Sequence, residues 1–587
     1  MKKAKFTFPL AILAFAFLFS CSSCGGDGPK SEWKHDDNTV RMRVSTAPNS
    51  INPYLARTKY ERLPSELVFQ CPMNFDYGTM AFVPQLIKAA PTVQDITEGE
   101  FKGGQSFTYE IMPEATWDDG KPVTGHDYEF TVKALFNPKM PTQRYLGYVE
   151  FVRDIQVDEA NPKKFTVFAY KKYFLNMEAI SNVTILPEHI YDEGGLMKKF
   201  AVKDLTDPAK AATLAADPAL QQFADAYTSP KFAREVNAGS GPYQVAEWTG
   251  DQRLVLAKKK NWWGEKLAGQ YPLLAAYPDT VVFLPIADQV AAIAAIKDES
   301  VDVAIELDAK QFNDLRKVDF VQKIYNFYTP PTFTYFYTAM QNRNPKLADK
   351  RVRRAIAETI DMDMVIKDLY DSLAERQVGP FFPSQKYIDS SLKPIAANEA
   401  DARKLLEEAG WKDSNGNGTV DKMIDGKLEE MKLQYVYSAG STFSENFSLL
   451  LKNNCQKIGI EIEPVPLDGK VLADKLKNGE FDLAARGAGW QPIPDDPKQF
   501  WHTDGAVPGG SNYSRFGNAS SDALIDAIQN APDEASRDKL YKDFQQLMYD
   551  EQPVIFMFSP QERMVVHQRF EAELSRYGLS LQHLKLK

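Results

Sequence analysis

Cysteine and histidine are scarce in this chain of 587 residues, which has four cysteines and six histidines. The histidines form no HExxH motif and no other tight metal-binding cluster. The motifs GxSxG, GxxxxGK[ST] and GxGxxG do not occur either. These absences argue against zinc hydrolases, P-loop enzymes and serine hydrolases. Acidic residues are abundant, so an exported hydrolase with a pair of carboxylates stays open at this point.

Long apolar runs and basic clusters are also missing from most of the sequence. After residue 24 no apolar stretch approaches the roughly 18 residues that a membrane-spanning helix needs. The formal net charge is −10, whereas a nucleic-acid-binding surface is basic and clustered. We therefore expect no membrane span in the mature protein and no nucleic-acid partner.

The N-terminus has the pattern of an export signal. The first five residues include three lysines, and the apolar run Phe6–Phe19 that follows is too short to span a bilayer. It closes with Leu18-Phe19-Ser20-Cys21, which resembles the bacterial lipobox, in which a lipid is attached to the cysteine. We predict a signal peptide at 1–20, a lipidated Cys21 and a flexible tether at 21–38. The mature protein would then be anchored in the bacterial cell envelope, outside the cytoplasm.

Two cysteines remain beyond the tether. Cys455 shares one helical face with Phe447 and Leu451, which predicts a buried thiol in a hydrophobic core. A disulfide between Cys455 and Cys71 stays open, because sequence alone does not show their separation.

Helical and strand-like segments alternate through the body of the chain, which favours an α/β architecture. We predict helices that begin after Asp349, Asp361, Asn398 and Asp533, each acting as an N-cap. The helix after Asp361 is expected to turn Met364, Val365 and Leu369 inward. The segment PVIFMF at 553–558 is predicted to form a buried strand.

One loop resembles a calcium site. Asp413, Asn415, Asn417 and Asp421 match ligand positions of an EF-hand loop, with Gly418 at its sixth position. The twelfth position is Ile424, where such a loop needs a bidentate glutamate. We expect the segment to be a structural turn and keep it only as a weak calcium candidate.

Several separated segments resemble one protein family, the family-5 extracellular solute-binding proteins, which include the oligopeptide and dipeptide binders of ABC importers. They occur in the family's order over roughly residues 40 to 570: Trp117–Asp127, Gly239–Tyr243, Asn261–Trp263, Asp349–Ala355 with Ile360-Asp361, and Gly489-Trp490 with Asp496-Pro497. Each is weak alone, and their shared order carries the resemblance.

The resemblance implies an α/β fold of the periplasmic-binding-protein type II (cluster C), with two large lobes, a hinge and an extra sub-domain. The implied division gives lobe I from 39–78, 226–285 and 551–587, the extra sub-domain (lobe II) from 79–225, and lobe III from 286–550. The chain is then expected to cross the hinge near Leu284-Pro285 and near Gln552-Pro553.

It also implies a function: a monomeric receptor that captures a small solute, most often a peptide, and delivers it to the permease of an ABC importer. No catalysis and no cofactor are expected. The candidate ligand-binding residues are Trp490, Arg486, Ile493, Tyr437 and Arg57. An exported hydrolase and a surface adhesion or chaperone-like lipoprotein remain the alternatives.

One departure from the family pattern bears on the ligand. Peptide-binding relatives place an aspartate three residues after the tryptophan of the Gly-Trp segment, where it pairs with the α-ammonium of the peptide. Here that position is Ile493, which carries no charge. Asp495 or Asp496 would replace the acid only if the loop were shifted.

Overall fold

The computed structural model describes residues 33–79, 81–142, 145–146, 149–383, 385–489, 494–572, 574–575 and 578–587. Residues 38–587 form one compact unit with sheets of seven, six and four strands and several two-stranded sheets. The signal peptide and Cys21 lie outside the described residues. No helix in the described ranges is long and apolar enough to cross a membrane.

The seven-stranded sheet is built around the first strand of the body. Its strands are, in spatial order, Tyr325–Tyr328, Met564–His567, Val303–Ala304, Thr39–Val44, Thr280–Pro285, Arg253–Lys258 and Tyr243–Thr249. The strand Thr39–Val44 runs parallel to Thr280–Pro285, with Thr39 opposite Thr280. Val40, Met42 and Val44 are buried on one face of this strand and Arg43 is buried on the other, because both faces of an interior strand are covered.

The four-stranded sheet shares its hydrophobic core with the seven-stranded sheet. Its strands are, in spatial order, Thr92–Asp95, Gln105–Glu110, Lys164–Ala169 and Val152–Val157. The rings of Tyr109 and Phe165 stack in its core, with centroids 5.1 Å apart. Because one continuous cluster of buried residues joins the two sheets, we treat them together as the first half of the molecule.

The six-stranded sheet forms the second half, with helices on both faces and a core on each. Its strands are, in spatial order, Ala374–Arg376, Val554–Pro560, Thr334–Met340, Leu483–Gly489, Lys432–Ser438 and Glu461–Leu467. All residues of Val554–Pro560 are buried, which confirms the predicted buried strand. The remaining strands form the antiparallel pairs Met73–Asp76 with Ala81–Pro84, Asp421–Ile424 with Lys427–Glu430, Phe570–Glu571 with Lys585–Leu586, and Leu574–Ser575 with Gly578–Leu579.

The α-helices of the first half cover both of its sheets. They are Lys59–Val68, Gly125–Phe136, Asn176–Ser181, Glu188–Tyr191, Val202–Leu205, Pro208–Leu214, Pro218–Tyr227, Gln289–Lys297, Ala309–Leu315 and Asp319–Gln322. Those of the second half are Lys350–Ala357, Met362–Leu369, Glu399–Glu408, Thr442–Lys457, Gly469–Asn478, Lys498–Trp501, Ala519–Gln529 and Glu534–Glu551.

The four predicted N-caps are confirmed. Asp349, Asp361, Asn398 and Asp533 each accept a backbone N–H from the first turn of their helix, which satisfies a donor that would otherwise lack a partner.

One predicted core position is wrong. Met364 is 52% exposed, and the buried residues of its helix are Met362, Val365 and Ile366. Met364 precedes Val365 by one residue, which rotates it about 100° away from the apolar face.

The chain passes between the two halves twice, at 329–333 and at 561–563. The two segments are hydrogen-bonded to each other where they cross, since the N–H of Glu562 donates to the carbonyl of Pro330 at 2.7 Å. Two adjacent crossings joined in this way form the connection expected of a hinge.

These crossings differ from the predicted ones near Leu284-Pro285 and Gln552-Pro553. After residue 285 the chain stays in the first half, because the strands Val303–Ala304 and Tyr325–Tyr328 pair with the C-terminal strand of the seven-stranded sheet. Likewise, Val554–Pro560 belongs to the six-stranded sheet, so the return lies after it.

Both cysteines of the body are free and buried, so Cys71 and Cys455 form no disulfide. Cys455 lies on the predicted helical face beside Phe447 and Leu451. Burial raises the pKa of the Cys455 thiol to about 12, which makes it unreactive near neutral pH.

Candidate functional site

The candidate site lies beside the two crossings, where the edges of the two halves meet. We call this region the junction. Thr334–Met340 begins there, and its antiparallel partner Leu483–Gly489 ends there, with Thr334 opposite Gly489. The parallel strands of the first half also end towards the crossings. In open α/β sheets, ligands bind at the carboxyl ends of parallel strands.

The first half presents a polar surface to the junction, which we call the charged wall. It consists of Lys59, Glu306 and Glu562. The ammonium of Lys59 contacts the carboxylate of Glu306 and lies 3.7 Å from Oε2 of Glu562. Glu562 Oε1 in turn accepts the N–H of Glu306 at 2.8 Å. These contacts hold the charged groups in fixed positions beside the crossing.

The second half presents the aromatic wall, which consists of Phe336, Tyr370, Phe443 and Phe558. All pairs of these rings are in contact, with centroids between 4.7 and 6.4 Å apart. Phe558 is fully buried and the other three are half-buried. An apolar surface of this kind gains from covering by a ligand, and aromatic rings carry much of such binding energy.

Arg563 connects the two walls. Its guanidinium lies 5.8 Å from the ring centroid of Tyr370, and its Nε donates to the carbonyl of Leu307 in the first half. Burial raises the pKa of Tyr370, and the nearby Arg563 opposes this effect. The aromatic wall is therefore in direct contact with the first half.

The strand Leu483–Gly489 has an unpaired edge at the junction. On one side it pairs along its length with Thr334–Met340, but its pairing with Lys432–Ser438 covers only Leu483 and Ala484. In the described part of the chain, no strand pairs with that edge from residue 485 to 489. Gly487 and Gly489 are exposed there, and a free strand edge can pair with an extended peptide main chain.

The predicted site residues that the structure describes lie in different surroundings. Arg486 stacks over the ring of Tyr513, with its guanidinium 4.3 Å from the centroid, and its Nε is buried without a hydrogen-bond partner. Tyr437 is 5% exposed and packs in the core of the second half. Arg57 is exposed, and its backbone N–H donates to the carboxylate of Glu61 at 2.6 Å. Trp490 and Ile493 lie outside the described residues.

Both aspartates that follow the Gly-Trp segment are engaged with protein groups. Asp495 accepts a hydrogen bond from the hydroxyl of Tyr387 at 2.7 Å and is buried. Asp496 accepts from the hydroxyl of Tyr173 at 2.6 Å and from the side-chain amide of Gln529 at 2.8 Å. Burial, together with the charge of Asp496, raises the pKa of Asp495 to about 7.

The calcium-like loop uses its carboxylates for its own hydrogen bonds. Asp413 accepts the N–H groups of Gly416, Asn417 and Gly418 at 2.8–3.1 Å. Asp421 accepts from both the N–H and the hydroxyl of Ser414. Over the described ranges, no group of three or more His, Cys, Asp or Glu side chains is arranged to hold a metal ion.

A concavity of about 610 Å³ lies at the end of the strand Thr334–Met340 that is remote from the junction. It is lined by Arg343, Arg515 and Asp482, among others. Both arginines donate to backbone carbonyls, and Asp482 accepts from the side chain of Asn344 at 2.6 Å. These groups stabilise the surrounding loops, so we favour the junction as the functional site.

The residues of the two walls were not among the candidates predicted from sequence. They come from widely separated segments, and the one signal in the sequence was its high aromatic content of 12%.

Comparison with known proteins identifies the family. The model of the bacterial extracellular solute-binding proteins, family 5 Middle, matches residues 82–511. The oligopeptide-binding protein AppA of Bacillus subtilis is 24% identical over 481 residues, which cover 80% of this chain and 78% of that protein.

Solved structures share the fold. AppA from Bacillus subtilis in complex with a nonapeptide has a TM-score of 0.69 at 20% sequence identity, covering 94% of this chain and 99% of that one. NikA from Brucella suis in complex with Fe(III)-EDTA has a TM-score of 0.73 at 17% identity, covering 94% and 100%. The fold is therefore the two-lobed type II periplasmic-binding-protein fold, as expected. The family consists of substrate-binding proteins of ABC transporters and not of enzymes. This chain belongs to family 5 of the bacterial extracellular solute-binding proteins and is the substrate-binding receptor of an ABC importer.

Proposed function

We propose that this receptor is anchored to the membrane by a lipid on Cys21 and captures a peptide at the junction. The observation that carries the ligand class is the unpaired edge at residues 485–489 beside the aromatic wall. The edge offers main-chain hydrogen bonds to an extended peptide, and the rings offer apolar contact to its side chains. The relatives that bear oligopeptide-binding names support the same class.

Mass spectrometry of the solute that co-purifies with the mature protein tests the ligand class. We expect peptides of several residues, released on denaturation. The recovered peptides, resynthesised, should raise the melting temperature of the stripped protein, because a ligand that binds only the folded state stabilises it. Recovery of a sugar or a metal chelate that produces the same rise would replace the peptide proposal.

We further propose that the receptor does not select a free peptide amine. Ile493 has no charge, Asp495 is buried against Tyr387, and Asp496 is held by Tyr173 and Gln529. A buried ammonium without a partner loses several kcal/mol of solvation, so a site of this kind gains little from a charged N-terminus. Each recovered peptide and its N-acetylated form should bind with dissociation constants within about threefold, the equivalent of ~0.7 kcal/mol.

A large loss of affinity on N-acetylation, matched by an equal loss for the unblocked peptide in D496A, would contradict this proposal. It would mean that the loop supplies the missing acid.

Trp490→Ala is expected to weaken binding by about 2–4 kcal/mol, the range for an aromatic anchor. Trp248→Ala is the matched control, since Trp248 belongs to the strand Tyr243–Thr249 at the far edge of the seven-stranded sheet.

The lipid anchor has a clean control within the same sequence. C21S should release the protein from the membrane fraction or block processing, whereas C24S should leave both unchanged, because only Cys21 follows the Leu-Phe-Ser pattern. Detergent-dependent membrane association of C21S would disprove the anchor at this residue.

A further inference from the structure

Far along the chain from the two crossings, the two halves make another contact. Tyr173 and Phe174 follow the strand Lys164–Ala169 of the four-stranded sheet and reach the second half. The hydroxyl of Tyr173 donates to Oδ2 of Asp496 at 2.6 Å. The ring of Phe174 lies under the guanidinium of Arg537, 4.6 Å from its centroid.

This contact depends on the relative position of the halves. Tyr173 packs on Phe151 within the first half, with ring centroids 5.6 Å apart. Asp496 is fixed within the second half, because Gln529 donates to the oxygen that Tyr173 uses and the N–H of Lys498 donates to the other at 3.0 Å. A rotation about the crossings would separate Tyr173 from Asp496 while leaving both of these anchors intact.

The segment that carries Asp496 is also fixed by contacts of the preceding residue, Asp495, with the core of the second half. The hydroxyl of Tyr387 donates to the carboxylate of Asp495 and accepts the N–H of the same residue at 3.1 Å. Tyr387 stacks on Tyr541, with centroids 4.1 Å apart, and the hydroxyl of Tyr541 donates to the carbonyl of Asp495. The position of Asp496 is therefore set by the core of the second half.

We infer that Tyr173–Asp496 and Phe174–Arg537 form a latch that holds the two halves closed. These residues position the two halves relative to each other. They act on the closed state and need no contact with the solute. The role of this latch rests on the proposed function, because a stabilised closed state retains a bound solute. A hydrogen bond to a charged acceptor together with a cation–π contact is sufficient to shift a two-state equilibrium severalfold.

Electron paramagnetic resonance distance measurement tests the latch without any solute. Spin labels are placed at V93C on the four-stranded sheet and V507C in the second half, both of which are exposed. The native Cys71 and Cys455 are buried and remain unlabelled, and C24S removes the thiol of the tether in every labelled variant. The mature protein, stripped of solute, should show a population at the distance that the closed structure gives.

Y173F removes only the hydroxyl and should lower the ratio of the closed to the more distant population by about three- to tenfold. R537Q should lower it by a smaller factor. Y170F is the matched control, because Tyr170 lies close by in the chain and contacts Arg153 and Lys171 of its own half. It should leave the ratio unchanged.

An equal ratio in Y173F and the wild type, or a wild-type protein without the closed population, would overturn the inference. Thermal unfolding of each labelled variant verifies that it is folded. A failure of the proposed function would appear differently, as a normal latch in a protein that retains no peptide.

Discussion

The two walls of the junction differ in what holds them in place. The charged wall consists of side chains linked by ion pairs, and those of Lys59 and Glu306 are each 34% exposed. The aromatic wall is a set of mutually packed rings attached to the core of the second half. Partly exposed ion pairs contribute little to stability, whereas buried rings contribute several kcal/mol. The comparison indicates that the aromatic wall supports the fold, whereas the charged wall contributes little to stability.

The largest effect is expected at the centre of the aromatic wall. Phe558 is fully buried and touches the three other rings. Phe558→Ala should lower the free energy of unfolding by about 3–5 kcal/mol, the cost of deleting a buried ring. Denaturant unfolding measures this, with Phe320→Ala as a control because Phe320 is 47% exposed. Equal losses in both variants would contradict the structural role of the wall.

The next effect is the pH dependence of the free energy of unfolding that the buried Asp495 of the second half causes. The pKa of Asp495 is raised to about 7, chiefly by burial, and an unfolded aspartate titrates near ~3.9. Between these pH values the native state keeps a proton that the unfolded state has released. Stability therefore falls as the pH rises through this window and stays reduced above it. Asp495→Asn cannot ionise, so its stability relative to the wild type should rise by about 2–4 kcal/mol from pH 4 to pH 8, at ~1.36 kcal/mol per pKa unit.

Urea unfolding at several pH values gives this profile. Asp251→Asn, an exposed position, is the control and should show the same profile as the wild type. Parallel profiles for Asp495→Asn and the wild type would mean that Asp495 ionises normally. The carboxylate would then be better solvated than its burial indicates.

A smaller effect is expected at the charged wall. Lys59→Met should change the free energy of unfolding by less than ~1 kcal/mol, since its ion pairs are partly solvated. Lys310→Met, which breaks a surface pair with Asp314, should change it by a similar amount. A loss above ~2 kcal/mol for Lys59→Met would remove the distinction between the two walls.

The smallest effect lies away from both walls, in the loop at 413–421. The carboxylate of Asp413 accepts three backbone N–H groups, so adding calcium should leave the stability of the protein unchanged. Calorimetry of the chelator-treated protein should detect no calcium binding tighter than ~10⁻⁴ M. A submicromolar site would show that these carboxylates turn outward to a cation.

Features with a local cause could be predicted from sequence. Asp349 and Asp533 cap helices because a short side chain at that position satisfies nearby donors, and the burial of Cys455 follows from the spacing of its apolar neighbours. The crossings could not be predicted in the same way. Their position depends on a two-residue strand, Val303–Ala304, which has no periodicity and forms only through pairing with distant segments.

The residues of the junction could not be predicted from local sequence patterns for a similar reason. Phe336, Tyr370, Phe443 and Phe558 are far apart in sequence, and each alone resembles an ordinary core residue. The resemblance to a family identified the Gly-Trp segment, but it could not reveal that Asp496 contacts Tyr173.

The position of the strand Met564–His567 also sets an order of events during synthesis. This strand lies inside the seven-stranded sheet, between two strands that precede it by about 240 and 260 residues, with Tyr325 opposite His567 and Val303 opposite Val566. Shortly after it, Arg569 donates to the carbonyl of Thr39, at the beginning of the body. The first half therefore cannot complete its sheet until nearly the whole chain has emerged, and contacts between such distant segments form slowly. A chain whose first and last segments must meet stays unfolded for longer, which is the state in which an exported polypeptide is threaded through a membrane.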